Sequence, residues 1–195
     1  MDIFTKAADV LLRPAAVVVI PTDTVYGLAA RAADKAAVER LYGLKKRVAQ
    51  PGTIIAANIE QLVELGIKQR YLKAVEQFWP NPLSVIIPCA NPDVSYLHQG
   101  KMSLAVRIPK NKALCDLLLT TGPLLTSSAN HPKEEPANTR QEAEKYFGDT
   151  VDLYVDGGDL SGHEPSTIIR IVDDAIELIR EGAVAINESG RVSET

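Results

Sequence analysis

The order of apolar and polar positions divides the chain into short elements separated by Pro, Gly and Asn. Residues 16–21 (AVVVIP) are a β-branched, nearly continuous apolar run, the pattern of a strand buried on both faces. Residues 33–46 carry Ala37, Leu41 and Leu44 at helical spacing and end in Lys45 and Lys46, cations that suit the negative end of a helix dipole. Further strands are predicted at 53–57, 83–89, 103–108, 124–127, 151–155, 167–172 and 176–180. Helices are predicted at 71–79, stopped by Pro80 and Pro82, at 112–119 and at 140–147. In the last, Thr139 is the N-cap and Glu142 completes a capping box. The N-terminus reads as a short amphipathic helix with Ile3, Ala7, Val10 and Leu11 on one side, and the polar stretch 187–195 reads as a frayed tail.

Helices alternate with strands, but strands follow one another directly toward the C-terminus. This favours an α/β fold with a mixed sheet and flanking helices over a doubly wound parallel sheet. No repeat interrupts the chain, so 1–195 is expected to be one domain with its core at about 17–186. No apolar run reaches the ~18 to 20 residues that cross a bilayer. The N-terminus lacks the basic and apolar regions of a secretory signal, and a cytoplasmic location is expected. A net charge of −4 argues against nucleic-acid binding as the main role, although Lys45, Lys46 and Arg47, or Lys68, Arg70 and Lys73, can form local basic patches. Cys89 and Cys115 are too few for a disulfide framework. With His98, His131 and His163 scattered, no protein-only metal site is expected.

Four segments carry candidate chemistry. Pro21-Thr22-Asp23-Thr24-Val25-Tyr26-Gly27 places small hydrogen-bonding side chains directly after a buried strand, where they either line a pocket or cap a turn. Lys45 and Arg47 are a natural pair of phosphate donors, or simply compensate the helix end. Thr126-Ser127-Ser128-Ala129-Asn130 follows an apolar strand, at the carboxyl end where α/β folds bind ligands, and equally suits an Asx or Ser turn. No base stands beside Ser128, which reads as a hydrogen-bonding residue and not a nucleophile. Gly162-His163-Glu164-Pro165-Ser166-Thr167 feeds a strand of isoleucines, with Arg180 closing the next strand, and is otherwise a loop bounded by Gly and Pro. Neither G-x-G-x-x-G nor G-x-x-x-x-G-K-[ST] is present, so any nucleotide is held another way. Together the four segments describe hydroxyls and cations at strand ends, suited to a polyanion and a small zwitterion.

PTDTVYG, the K-x-R triplet, SLAVRIP at 103–109, S-x-N within TSSAN, and PSTI occur in the order seen in one family, and the chain resembles the YrdC-like L-threonylcarbamoyladenylate synthases from about Val17 to Ile186. The resemblance implies a short, single-domain form: a twisted mixed sheet with flanking helices around a deep, concave, basic site. It implies an enzyme that converts L-threonine, bicarbonate and ATP into threonylcarbamoyl-adenylate and pyrophosphate. Separate transferase proteins would then modify the tRNA adenosine next to the anticodon, with weak contact between this chain and tRNA. By position, Thr24, Arg107, Ser128 and Ser166 fall to L-threonine. Lys45, Arg47, Gln50, Ser103, Asn130, Asn138, Thr139 and Arg180 fall to ATP, with Lys45 and Arg47 as the catalytic pair. Mg2+ would accompany the triphosphate, bound mainly through phosphate oxygens and water.

The chain departs from the family pattern in places. The stretch after Arg47 (Val48-Ala49-Gln50-Pro51-Gly52) is one residue short, with Gln50 where Lys or Asn is usual. Ile55 replaces a His of the threonine site, Asn130-His131-Pro132-Lys133 replaces N-x-S-G, and Ile168-Ile169-Arg170 replaces VVD. The alternative is a paralogue of the same fold that lacks synthase activity and binds tRNA or double-stranded RNA.

Overall fold

The structure, a computed structural model, describes residues 3–46, 49–173, 175–187 and 191–194. It opens with helix α1 (Thr5–Leu11), which buries Ala7, Val10 and Leu11. Ile3 precedes the helix and is half exposed, so it does not share the buried face expected of it; Phe4 is the buried anchor. Strands β1 (Val18–Pro21) and β2 (Tyr26–Arg31) form an antiparallel hairpin with Pro21 opposite Tyr26. The motif PTDTVYG therefore ends inside a strand, which periodicity did not reveal. Tyr26-Gly27-Leu28-Ala29-Ala30 is buried on both faces and leaves no alternation to read.

Helix α2 (Lys35–Lys45) starts at Asp34, whose carboxylate accepts from the Ala37 N–H. Strand β3 (Thr53–Ile55) is followed by α3 (Ile59–Glu64), capped by Asn58, and by α4 (Gln69–Val75), which continues as a 3-10 turn to Phe78. Next come β4 (Leu83–Pro88), α5 (Ser95–His98), β5 (Ser103–Arg107), α6 (Lys112–Thr121) and β6 (Leu124–Ser128). Helix α7 (Arg140–Phe147) has the expected cap, Thr139 Oγ1 accepting from the Glu142 N–H. Glu142 reaches back to the Asn138 N–H, one residue before the cap. Strands β7 (Leu153–Tyr154), β8 (Thr167–Val172), β9 (Ala175–Arg180), β10 (Val184–Ile186) and β11 (Val192–Glu194) complete the described chain. The tail expected to fray instead pairs its residues 192–194 with β10, so Val192 packs against the core; backbone pairing outweighs the polar composition there.

Nine strands form one mixed sheet in the order β7-β1-β2-β6-β3-β5-β4-β8-β9, with parallel pairs β1/β7, β3/β5 and β4/β8. Pleating sends successive residues to opposite faces. Val17, Val19, Leu28, Ile54, Val85, Val106 and Ile169 join one core with residues of α2, α3, α4, α5 and α7. Val18, Ile20, Ala29, Ile55 and Leu124 join a second core with α1 and α6. The first face is covered from β1 to β8. The second is covered over β1 and over parts of β2, β6 and β3, and the rest lies outside that core.

Tyr26 fastens the long connection after β7. Its hydroxyl donates to the Gly158 carbonyl and accepts from the Gly157 N–H, both at 2.8 Å, and burial pushes its phenol above the ordinary range. Gly157 is required there because a Cβ would lie 2.4 Å from Pro21 Cγ. At Gly52 the approach is equally close and less forgiving, since a Cβ would lie 2.4 Å from the Thr126 carbonyl oxygen, an atom of the sheet backbone that cannot swing aside.

Gly52→Ala should cost about 1–3 kcal/mol, the usual penalty for overpacking, read as a lower midpoint in chemical denaturation. A second expectation concerns alkaline stability. Tyr154 donates to the Gly148 carbonyl, and burial, then the Glu144 and Asp149 carboxylates, push its phenol up to about 12. A folded value above the ordinary 10.0 means that its contribution is fully present below pH 10 and is lost as pH rises toward 12. Tyr154→Phe should therefore lose less stability than the wild type as pH rises from 10 to about 12.

Candidate active site

The part of the second sheet face outside its core carries a cavity of about 210 Å3. Its walls are strands and loops only. Thr22, Thr24 and Val25 come from the β1–β2 hairpin loop, Pro51 and Gly52 from the approach to β3, Ala105 and Arg107 from β5, and Thr126, Ser127 and Ser128 from β6. Pro165, Ser166 and Ile168 enter from β8 and its approach, and Ile179 and Arg180 from β9. Of the residues assigned to L-threonine, Thr24, Arg107, Ser128 and Ser166 all line this one cavity, and Arg180 joins them from the ATP set. They come from five separate segments, and the sheet order brings them together.

The wall is hydrogen-bonded in a definite way. Thr22 Oγ1 donates to the Val25 carbonyl at 2.7 Å and lies 2.9 Å from Thr24 Oγ1. Arg107 is 3% exposed and donates through Nη1 to Asp23 Oδ1 at 2.6 Å. Arg180 folds against Ser166, donating to its carbonyl through Nη2 (2.5 Å) and Nε (3.1 Å) and to its hydroxyl at 3.1 Å. Ser166 Oγ is also 3.1 Å from Ser84 Oγ. Two buried polar atoms at this site have no partner, Asp23 Oδ2 and Arg107 Nε. Such atoms are uncommon in folded proteins and mark places where water or a ligand completes the bonding.

Lys45 is not in the cavity wall. The spacing that buries Val38, Leu41 and Tyr42 on α2 also buries Lys45, which is 0% exposed. Its Nζ donates to the Ser128 carbonyl (2.6 Å), the Asn130 carbonyl (2.5 Å) and Asn130 Oδ1 (2.8 Å). Asn130 Oδ1 also accepts from Ser128 Oγ at 2.7 Å, and its Nδ2 donates to the Glu134 carbonyl at 2.5 Å. Lys45 therefore braces the end of β6 at Ser128 and the turn that follows it. It is neither a solvated helix-end charge nor, in this arrangement, a donor aimed into the cavity.

The remaining assigned residues are spread out. Arg47 lies outside the described residues. Gln50 is exposed, and its N–H donates to Gln99 Oε1. Ser103 shares the face of β5 that bears Ala105 and Arg107, but lies beyond the cavity lining. Asn138 lines a separate surface pocket with Glu142 and Tyr146, and Thr139 is occupied in capping α7. Ile55 is fully buried in the second core and supplies no polar group. His131 packs edge-on against Tyr146 and Phe147, away from the cavity wall. Asp23, Gly27, Thr53, Thr126 and Ser127 had no assigned role, although all but Thr53 stand inside the motifs that pointed here.

The family model Sua5/YciO/YrdC, described as telomere recombination, matches residues 10–182. A threonylcarbamoyl-AMP synthase of Pyrococcus abyssi is 32% identical over 186 residues, which is 93% of this chain and 54% of that protein. The chain thus spans about half the length of that relative. A threonylcarbamoyl-AMP synthase of Idiomarina loihiensis is 32% identical over 168 residues, 82% of this chain and 89% of the relative. Among solved structures, P. abyssi Sua5 complexed with L-threonine aligns with a TM-score of 0.81 at 29% identity, covering 93% of this chain and 54% of that one. E. coli YciO aligns with a TM-score of 0.76 at 24% identity, covering 91% and 87% of the two chains, a likeness of fold.

Replacing Lys45 by Met should strand the acceptors of the 128–130 turn and cost on the order of 3 kcal/mol. Lys46→Met, on the exposed cap of the same helix, should leave the denaturation midpoint unchanged. Equal effects from the two would show that Lys45 does not brace the turn.

Proposed function

The chain belongs to the Sua5/YciO/YrdC family, and on that premise we propose that it joins L-threonine, bicarbonate and ATP into threonylcarbamoyl-AMP with release of pyrophosphate. One observation carries the reading: Thr24, Arg107, Ser128, Ser166 and Arg180, set apart in sequence, line the same cavity. A relative of matching fold is complexed with L-threonine. At about 210 Å3 the cavity is smaller than the roughly 300–1,000 Å3 that hold drug-sized ligands. It suits an amino acid, and the nucleotide would extend past its rim.

In this reading the threonine carboxylate pairs with Arg107, and the hydroxyls of Thr24, Ser128 and Ser166 orient the amino acid. Its nitrogen adds to the carbon of bicarbonate, water leaves, and the resulting carbamate is held beside the α-phosphorus of ATP. A carbamate oxygen then attacks that phosphorus, the bond to the bridging oxygen breaks, and pyrophosphate departs with the electron pair. Such a step gains most from positioning and from charge placed where charge develops. Arg47 and Arg180 would supply that charge, while Lys45 holds the turn that presents Ser128. Among the described residues, no three His, Cys, Asp or Glu side chains gather into a metal-binding group. In this reading magnesium would arrive with the triphosphate, bound by phosphate oxygens and water, and would offset phosphate charge.

The product is an activated acyl group destined for tRNA, so the reading includes separate transferase proteins as partners, transient contact with tRNA and a cytoplasmic location. Among the described residues no helix is long and apolar enough to cross a membrane.

The test is pyrophosphate release by the purified chain with ATP, magnesium and bicarbonate, with and without L-threonine. Release should depend on threonine and fall about 100-fold or more in Arg47→Ala and in Arg180→Ala, the scale for removing one preorganised charge. Absence of threonine-dependent release from folded wild-type protein would overturn the synthase reading, and RNA retention at low salt would then favour the paralogue.

A further inference from the structure

The synthase reading leaves Asp23 without a task, although it is the only carboxylate among the described residues hydrogen-bonded to a cation of the cavity wall. Its side chain is 11% exposed and that of Arg107 only 4%, so the pair is almost wholly withdrawn from water. The bond between them is single. Arg107 uses Nη1 alone, its Nε is buried without a partner, and Asp23 Oδ2 is likewise buried without one. A guanidinium and a carboxylate that meet only to stabilise each other commonly form two parallel bonds. Here the geometry leaves half of each group unused, next to a cavity built for a small polar ligand.

This arrangement has an electrostatic consequence. A carboxylate arriving at Arg107 meets a guanidinium already compensated by Asp23, and two carboxylates then share one cation. Like charges brought together in a buried site disfavour one another. The conflict is relieved when the incoming molecule carries its own positive charge one carbon from its carboxylate, as an α-amino acid does. A bare carboxylate of the same shape lacks that relief. The hairpin makes the placement rigid. Asp23 sits between Thr22 and Thr24 in a loop closed by the Thr22–Val25 hydrogen bonds, and β5 holds Arg107 opposite Ile55 of β3.

We infer that Asp23 is a specificity-determining residue of this pocket: as the internal counterion of Arg107, it selects a zwitterionic amino acid over an anion of equal shape. The inference rests on the assignment of the cavity to L-threonine. Asp23 acts through Arg107, so it is a positioning residue and not a catalytic one.

The measurement is calorimetric binding of two probes, L-threonine and 2,3-dihydroxybutanoate, in which a hydroxyl replaces the amino group. Wild type, Asp23→Asn and Asp23→Glu would be compared, with pyrophosphate release followed in parallel. Wild type should prefer threonine strongly. Asp23→Asn should reduce that preference about tenfold or more, with the hydroxy acid bound at least as well as by wild type, and Asp23→Glu should restore most of it. Equal weakening of both probes in Asp23→Asn would make Asp23 a structural brace and overturn the inference, as would an unchanged preference. Should Asp23→Asn not fold, Asp23→Ser supplies the neutral side chain. Wild-type protein that binds both probes equally refutes the inference with no variant at all. The two readings separate cleanly. Threonine-dependent pyrophosphate release with an unaltered preference in Asp23→Asn removes only this inference, whereas wild type that neither binds threonine nor releases pyrophosphate removes both.

Discussion

Unequal covering of the two faces of the sheet is the constraint on which the other features rest. On one face, residues from β1 across to β8 pack against five helices in a continuous apolar core. On the other, α1 and α6 reach a more limited set of strands, and the apolar positions give way to hydroxyls and arginines where their cover ends. A strand must satisfy its side chains on both faces at once. Ala105 and Arg107 therefore look into the cavity while Leu104 and Val106, between and before them, are locked into the core. The core fixes the register of β5, and the register fixes where Arg107 points.

The polar groups behind the cavity wall are treated in two ways. Lys45 is fully withdrawn from water, and three short hydrogen bonds to the 128–130 turn offset the cost of burying its charge. Asn130 beside it is likewise engaged, with the Ser128 hydroxyl and the Glu134 carbonyl. Arg107 and Asp23 are left with unfilled bonding capacity. A site in which the supporting groups are saturated and a few facing groups are not is preorganised to take a ligand without first breaking its own scaffold. This division separates the residues that hold the pocket from those that meet its occupant.

Family membership and pocket chemistry bear on different questions. The first suggests a reaction class through relatives that are about a third identical to this chain over the aligned residues. The second depends on this chain alone and supplies the charge logic of the Asp23–Arg107 pair. The departures from the family pattern have definite structural outcomes: Ile55 is spent on the second core, and His131 is spent on packing with Tyr146 and Phe147.

Much of the framework was legible in the linear pattern. The buried run of β1, the helices α2, α6 and α7 and the Thr139 cap follow from local propensity and periodicity, which act over a few residues. Strand β2 escaped because double-sided burial of Gly and Ala erases alternation, and the C-terminal hairpin escaped because its pairing outweighs a polar composition. At the site, the resemblance grouped Thr24, Arg107, Ser128 and Ser166 and set Arg180 with a second ligand, and the cavity brings all five together. The motifs did not show that Lys45 is buried beneath the turn it braces, or that Asp23 answers Arg107 across 84 residues. Sequence by itself determined which segments carry the chemistry, because residue type and local spacing are properties of the chain. Only the tertiary structure decided which side chains face the cavity and which face the core, because that choice depends on strand register and on burial against partners far away in sequence.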